Sequence, residues 1–351
     1  MPEAIWHLLR VLLLIGLMTF LVRDTGRAQE EASPVAAVVG QSRADPVPLG
    51  ASVLAGPVVL QVLEMLRGPE AVNAILAASP SNSEPRDGMT YVAVRLAVRN
   101  AGDQPLWLDN DDFALTGSSG LVRRFLGAQP PDPALDVTLG PGEVGEGWVA
   151  FGVPADEASL LLLFDSLDLG GTWADRVLAL EDGAAIPDVR DPAAATNDAG
   201  TDPLAPIGAG ETAVTAQWSV ALLDVVTGVA AFDLVDYRTG ALGSGDAAGE
   251  DGSLWVALRF HVQNVAAGGE VDSFPVSAFT LVDEEGNPLP DVATLTPPWP
   301  DLGGDYYPGA EREGWVMFDV PLDFATATVR FLPYAQVTAS PDPRYFTFQI
   351  G

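Results

Sequence analysis

The 351 residues contain no cysteine, so disulfides, thiolate catalysis and thiolate metal sites are excluded. Lysine is missing as well: all 17 basic residues are arginine, which removes Schiff-base chemistry and any phosphate loop that closes on Gly-Lys. Histidine occurs twice, and outside the amino-terminal segment only His261 remains. A nucleophile-histidine-acid triad would have to run through that residue, and a metal site built from several histidines has no ligands. Positive charge is scarce, 17 residues against 48 acids for a net charge of −31. Such a surface repels nucleic-acid phosphates and anionic lipid headgroups, so neither is an expected partner. Long apolar runs are also rare. The one from Val11 to Val22 falls short of the ~20 residues needed to cross a bilayer. Arg10 precedes it and Gly26 and Ala28 follow, a secretory signal pattern over residues 1–28, with a retained anchor as the alternative. The expected location is secreted or cell-surface.

What is present is a repeated pattern. Asp87 to Asn100 reads DGMTYVAVRLAVRN, and Asp251 to Asn264 reads DGSLWVALRFHVQN. Downstream, Phe113 and Leu115 answer to Phe279 and Leu281, and EGWVAFGVP from Glu146 answers to EGWVMFDVP from Glu313. Two homologous domains follow from this register. Proline- and glycine-rich stretches set their limits: a tether over 29–56, a first domain over 57–182, a linker over 183–212 and a second domain over 213–351. Each domain exceeds the ~100 residues of an immunoglobulin-like sandwich and can bury its own core.

Apolar residues alternate within each copy, as antiparallel strands with one buried face require. Val92, Val94, Leu96 and Val98 form the inward set of the first copy, and Val256, Leu258, Phe260 and Val262 that of the second. Tyr91, Ala93 and Arg95 with Trp255, Ala257 and Arg259 are expected to point outward. Further strands are expected over Val58–Leu66, Phe113–Thr116, Trp148–Val153, Leu160–Phe164, Ala213–Val226, Phe279–Val282, Trp315–Val320 and Thr328–Leu332. Pro69–Ala78 has the proline start and apolar side of a helix. Thr227–Tyr237 is compatible with helix or strand. The fold class is all-β: two tandem immunoglobulin-like antiparallel β-sandwiches preceded by a signal segment.

The string GPEAVNAILAASPSNSEPRDGMTYVAVRLAVRN, followed by Phe113-Ala-Leu, Gly140-Pro-Gly-Glu and Gly147-Trp-Val-Ala-Phe-Gly-Val-Pro, resembles the domain of unknown function 4352. The second copy resembles it more loosely: it has no counterpart of Asn82 and Pro85 and carries Trp255 where the first carries Tyr91. The resemblance implies a bacterial exported or surface-attached domain with an immunoglobulin-like sandwich, similar to secreted immunoprotective antigens. It implies no activity.

Three groups of residues are candidate sites. Arg95 with Trp148, and Arg259 with Trp315, share the outer face, where a guanidinium over an indole is worth roughly 0.5–1 kcal/mol. Trp299, Tyr306 and Tyr307 lie in the loop TPPWPDLGGDYYPG, whose rings suit stacking on a sugar or gripping a peptide. Asp109, Asp111 and Asp112 supply oxygens that a calcium ion could use, although the run lacks the glycine and bidentate glutamate of an EF-hand, and a turn with Asp112 leading into Phe113 is the preferred reading. No other cofactor is expected. The leading function is a non-catalytic extracellular module that engages a protein or a glycan. The alternative is a carbohydrate-active protein using the 297–308 loop, with Asp301, Asp305, Glu311 and Glu313 available for carboxylate hydrolysis.

Overall fold

Alternation decides the architecture. In the computed structural model, which describes residues 39–124, 127–164, 176–191, 193–235, 253–290, 292–321, 325–332 and 342–350, the alternating segments form antiparallel strands. The expected signal segment and its expected cleavage point lie outside the described residues. The first half contains β1 (Ser52–Ala55), β2 (Val58–Arg67), helix α1 (Pro69–Ala78), β3 (Met89–Asn100), β4 (Leu106–Leu108), β5 (Phe113–Thr116), β6 (Leu121–Val122), β7 (Val137–Leu139), β8 (Val144–Pro154), β9 (Leu161–Phe164) and β10 (Arg176–Ala179). The second contains β11 (Thr212–Val214), β12 (Trp218–Thr227), α2 (Val229–Asp233), β13 (Ser253–Asn264), β14 (Asp272–Phe274), β15 (Phe279–Val282), β16 (Ala293–Leu295), β17 (Gly304–Tyr306), β18 (Glu311–Pro321), β19 (Thr326–Phe331) and β20 (Arg344–Gln349).

The large sheet of the first half has the order β1-β2-β3-β8, and that of the second runs β11-β12-β13-β18-β16. A smaller sheet faces each: β10-β9-β5 in the first half and β15-β19-β20 in the second. In the second half the inward residues of β13 and β18 share one core with Phe279, Leu281, Val329, Phe331, Phe346 and Phe348 from the opposite sheet. Phe260 stacks on Phe279 at 4.4 Å and meets Phe346 edge-on at 5.5 Å. Phe113, Leu115 and Phe164 are buried in the first half, as are Val92, Val94, Leu96 and Val98 of β3. The same irregularity interrupts β2 and β12, an extra residue between Val62 and Glu64 and between Leu222 and Asp224.

Several expectations need correction. Tyr91, Ala93 and Trp148 do point away from the sandwich core, but α1 covers them through Ala71 and Ile75. Its counterpart α2 lays Ala231 over Trp255, Ala257 and Met317, so the described part of 227–237 includes a short helix. Ala213–Val226 is two strands rather than one. Thr215 turns the chain between them, its hydroxyl accepting the N–H of Trp218 at 2.8 Å while its own N–H donates to the Trp218 carbonyl at 2.8 Å. Part of the expected tether belongs to the fold as well: β1 lies in it, and Val47 bridges β10 in parallel. Val47 N–H donates to Val177 O at 2.8 Å, and Gly40 O accepts from Val177 N at 2.7 Å. The expected linker does the same for β20, with Ile207 N–H donating to Tyr345 O at 3.0 Å and Gly200 O accepting from Tyr345 N at 2.7 Å. Each strap shields an edge strand that would otherwise offer unpaired backbone groups.

One buried polar residue ties down each half. Asn100 and Asn264, both without solvent exposure, end β3 and β13. The Asn100 amide donates to Gln104 O at 2.7 Å and Leu139 O at 3.0 Å and accepts from Gly102 N at 2.9 Å. Asn264 donates to Tyr306 O at 3.0 Å and to the Asp272 carboxylate at 3.1 Å, and accepts from Ala266 N at 3.0 Å. A buried group that loses its partner costs about 1–3 kcal/mol. Asn100→Ala strands two carbonyls and an N–H, so it should lower the unfolding free energy by about 3 kcal/mol. Asp103→Ala on the nearby exposed loop should change it by less than about 0.5 kcal/mol. Urea titration of both variants measures the difference.

Candidate functional site

The aromatic loop expected to recognise a ligand is packed against the first half of the same chain. Its backbone continues a sheet across the two halves: β17 pairs with β14 on one side and with β6 on the other. Leu121 stands opposite Tyr306 and Val122 opposite Asp305. Tyr307 N–H then donates to Gly120 O at 3.0 Å. Leu121 leaves the first half to join the core of the second, beside Trp218, Phe274 and Tyr306. Gly120 has φ +71°, and a Cβ there would stand 3.0 Å from Ala310 Cβ, so glycine both makes the turn and admits the close approach.

Side chains reinforce this joint with one polarity. The Arg43 guanidinium lies 3.6 Å from the Tyr307 ring centroid, Arg86 lies 4.7 Å from the Trp299 ring, and Arg124 pairs with Asp305 at 3.2 Å. The arginines come from the first half and the rings and carboxylate from the second. Arg43 is itself buried, and a desolvated cation over an aromatic face contributes about 2 kcal/mol. The joint also carries a cost. Burial first, and then neighbouring Arg312, push Arg123 down to about 10, while Glu157, Tyr306 and Asp301 act in the opposite direction.

This arrangement corrects the ligand-platform expectation for the loop. Tyr306 is fully buried, its hydroxyl donates to Leu302 O at 2.7 Å, and its ring meets Trp218 edge-on at 5.5 Å. Tyr307 is only 9% exposed. Neither ring has a free face for a sugar. Trp299 is 39% exposed but stands alone in this respect.

The outer-face pairs are cross-strand neighbours. Arg95 stands opposite Trp148 and Arg259 opposite Trp315. The Arg95 guanidinium lies 5.9 Å from the Trp148 ring centroid and also pairs with Glu64 at 3.2 Å and Glu146 at 3.7 Å. Arg259 instead engages the Glu313 carboxylate. Trp148 is 8% exposed beneath α1, which leaves it little surface for a partner.

The aspartate cluster forms a capping turn. The Asp109 carboxylate accepts Asp111 N–H at 2.8 Å, and the Asp112 carboxylate accepts Asp109 N–H at 2.8 Å. Asn110 Oδ1 accepts Ala150 N–H at 2.8 Å and fixes the turn to β8. Among the described residues no group of three or more His, Asp or Glu side chains is placed to hold a metal ion. His261 lies 3.3 Å from Glu311, and Asp301 accepts Gly303 N–H at 2.8 Å.

The match to a known family falls in the first half. Residues 48–175 match the family model described as Domain of unknown function (DUF4352). The match covers little more than a third of the chain. The matched segment includes β1 and the strands up to β9, together with the hairpin that enters the joint. No curated protein matches the chain. Solved structures with similarity include a putative lipoprotein, ycdA, from Bacillus subtilis subsp. subtilis str. 168, at 15% identity and TM-score 0.29, covering 39% of this chain. The chain spans 38% of the length of that lipoprotein. The secreted protein MPT63 from Mycobacterium tuberculosis is 16% identical with TM-score 0.27, over 39% of this chain and 98% of that one. An uncharacterized β-sandwich protein from Clostridium difficile 630 is 11% identical with TM-score 0.25, over 39% and 93%.

The joint could not be found by strand periodicity, because Leu121-Val122 is too short to show a period. The available signal was the arginine that follows it and the concentration of aromatics in one loop only. Leu121→Asp places a charge in the second core and should split a single urea transition into two, read by near-UV circular dichroism. Burial is the main cause that pushes the Tyr306 hydroxyl up to about 12; Arg312 acts against it, Asp301 with it and Arg123 against it. Between pH ~10 and ~12 the unfolded chain has lost this proton while the folded chain keeps it, so stability is fully present below pH 10 and falls as pH rises. The slope contributed is at most about 1.4 kcal/mol per pH unit. Urea titrations across that range should show a flatter dependence for Tyr306→Phe.

Proposed function

We propose that the chain is a non-catalytic exported protein in which two homologous immunoglobulin-like units form one rigid module that engages an extracellular protein. The carrying observation is the joint, where β6 of one half is a strand of the other half's sheet and Leu121 is part of the other half's core. Strand pairing and a shared core fix orientation, whereas a free linker would let the halves turn independently. The matched straps from Gly40 and Gly200, the matched asparagines and the matched irregularities in β2 and β12 support the reading of two homologous units.

A protein partner is favoured over a glycan because the loop tyrosines are buried. The surface best suited to it is the cross-strand row Leu54, Val59, Arg99 and Val144 on the outer face of the first half. Leu54 and Val144, at the two ends of the row, are both more than half exposed, and apolar surface around an arginine is characteristic of protein contacts. A non-catalytic role is supported by the engagement of the loop carboxylates: Asp305 with Arg124, Glu311 with His261 and Glu313 with Arg259. The signal pattern, with a putative lipoprotein and a secreted protein among the similar structures, supports export.

Three measurements test these statements. Amino-terminal sequencing of the protein recovered outside the cytoplasm should begin at Gln29; recovery of the intact segment would instead establish an anchor. Quantitative affinity capture from culture supernatant should enrich a protein with the wild-type chain and lose at least tenfold of it with Leu54→Glu/Val144→Glu. Equal capture by the two chains would reject this surface, and a specific hit on a glycan array would reverse the choice of partner.

A further inference from the structure

The joint has an acceptor side and a donor side, and each has a counterpart facing away from it. On the acceptor side, β17 leads into the turn Tyr307-Pro308-Gly309-Ala310. Its counterpart is β7, followed by Gly140-Pro141-Gly142-Glu143. The equivalence is geometric: β7 pairs with β4 as β17 pairs with β14, with Leu139 opposite Leu106 and Tyr306 opposite Asp272. Asn100 donates to Leu139 O as Asn264 donates to Tyr306 O, and Gly142 N–H reaches Asn100 O as Gly309 N–H reaches Asn264 O. Gly140 thus occupies the place of Tyr307. The Tyr307 N–H receives the incoming strand at Gly120 O, whereas the Gly140 N–H donates to the Glu143 carboxylate at 2.7 Å. Glu143 therefore fills the position where a docking carbonyl would bind. Among the described residues, no second strand lies beside β7.

The donor side is altered too. In the first half Leu115 and Arg123 exchange backbone hydrogen bonds at 2.8 and 2.7 Å around the hairpin that carries Gly120-Leu121-Val122. In the second half Leu289 N–H donates to Leu281 O at 3.0 Å around Gly286-Asn287-Pro288. Gly120 and Gly286 share the left-handed conformation, with φ +71° and +84°. Asn287 and Pro288 then stand where Leu121 and Val122 do, both exposed. Proline has no N–H to give a strand edge, and the apolar residue that enters the neighbouring core has become an asparagine. The Asp283 carboxylate accepts N–H groups from Glu285 at 3.0 Å and Asn287 at 2.8 Å and locks this turn. Exposed Glu284 and Glu285 add charge that repels another chain of net charge −31.

We infer that the joint is one copy of a head-to-tail interface, and that Glu143 at one end and the Asp283–Pro288 turn at the other prevent a second copy of this chain from extending it. This rests on the reading of two homologous units. A head-to-tail contact with no rotational closure propagates into an open filament, so two blocked ends limit the array to two units.

The test uses full-length chains at high salt, which screens the acidic repulsion. Glu143→Ala opens the acceptor, and replacing residues 283–289 with the sequence GSSGLVR of residues 117–123 opens the donor. In sedimentation velocity the wild type and each altered chain alone should remain single. An equimolar mixture of the two should give dimers and nothing larger, and a chain with both changes should give a ladder. A doubly altered chain that keeps its circular dichroism and melting temperature yet sediments as the wild type would overturn the inference. Unfolding of the hairpin-exchanged chain would instead count against the equivalence of the two units. In that event the synthetic peptide GSSGLVRR, added to Glu143→Ala, still tests the blocked acceptor. Trp107, 57% exposed on β4 opposite Thr138, should change its fluorescence with at least tenfold tighter apparent binding than in the wild type. Equal responses would overturn the inference.

Discussion

Burial of one face of a long central strand is the constraint on which everything else depends. β3 and β13 are each flanked by long strands on both sides, and their inward residues lie against a second sheet. Without disulfides or thiolate metal sites, apolar burial must offset the conformational entropy of the chain, and each fully buried large apolar side chain contributes about 1.5–3 kcal/mol. The strand faces therefore tolerate no register slip, since a shift of one residue exchanges the two faces. Asn100 and Asn264 enforce this at the strand ends, where a displaced amide would leave buried partners unsatisfied.

Sharing a strand changes what the two halves are to each other. A flexible connection permits independent motion, but a sheet that runs through the boundary transmits orientation directly. The aromatic residues most conspicuous in the chain serve this boundary. Tyr306 fills a core, Tyr307 receives Arg43 and Trp299 receives Arg86. An aromatic loop on an acidic surface is thus explained by arginines from the same chain.

Local signals made much of the fold legible. Phe113–Thr116, Phe279–Val282 and the helix Pro69–Ala78 have the limits that alternation and a proline start suggest. The Arg95 and Trp148 pair was legible as sharing one face, which follows from strand phase, whereas their standing opposite one another depends on the strand order and register. Their burial was not. The cover over Trp148 comes from a helix about 70 residues earlier, and strand phase carries no information about it. Val47 and Ile207 were not legible for another reason: Val47 is a single pairing residue between two prolines and Ile207 one between Pro206 and Gly208, which reads as linker by composition. The Asp109–Asp112 turn shows the converse, a dense group of oxygens whose partners are backbone amides close in sequence.

The straps that open each half have a consequence for how the chain is made. Gly40 and Val47 bond to β10, and Gly200 and Ile207 bond to β20, so the earliest segment of each half waits for the last strand before it can settle. Contacts of such long sequence separation form slowly, and a ribosome supplies residues one at a time. Each half thus remains incomplete until almost all of it has been synthesised, and a polypeptide held open in this way stays threadable for most of its synthesis.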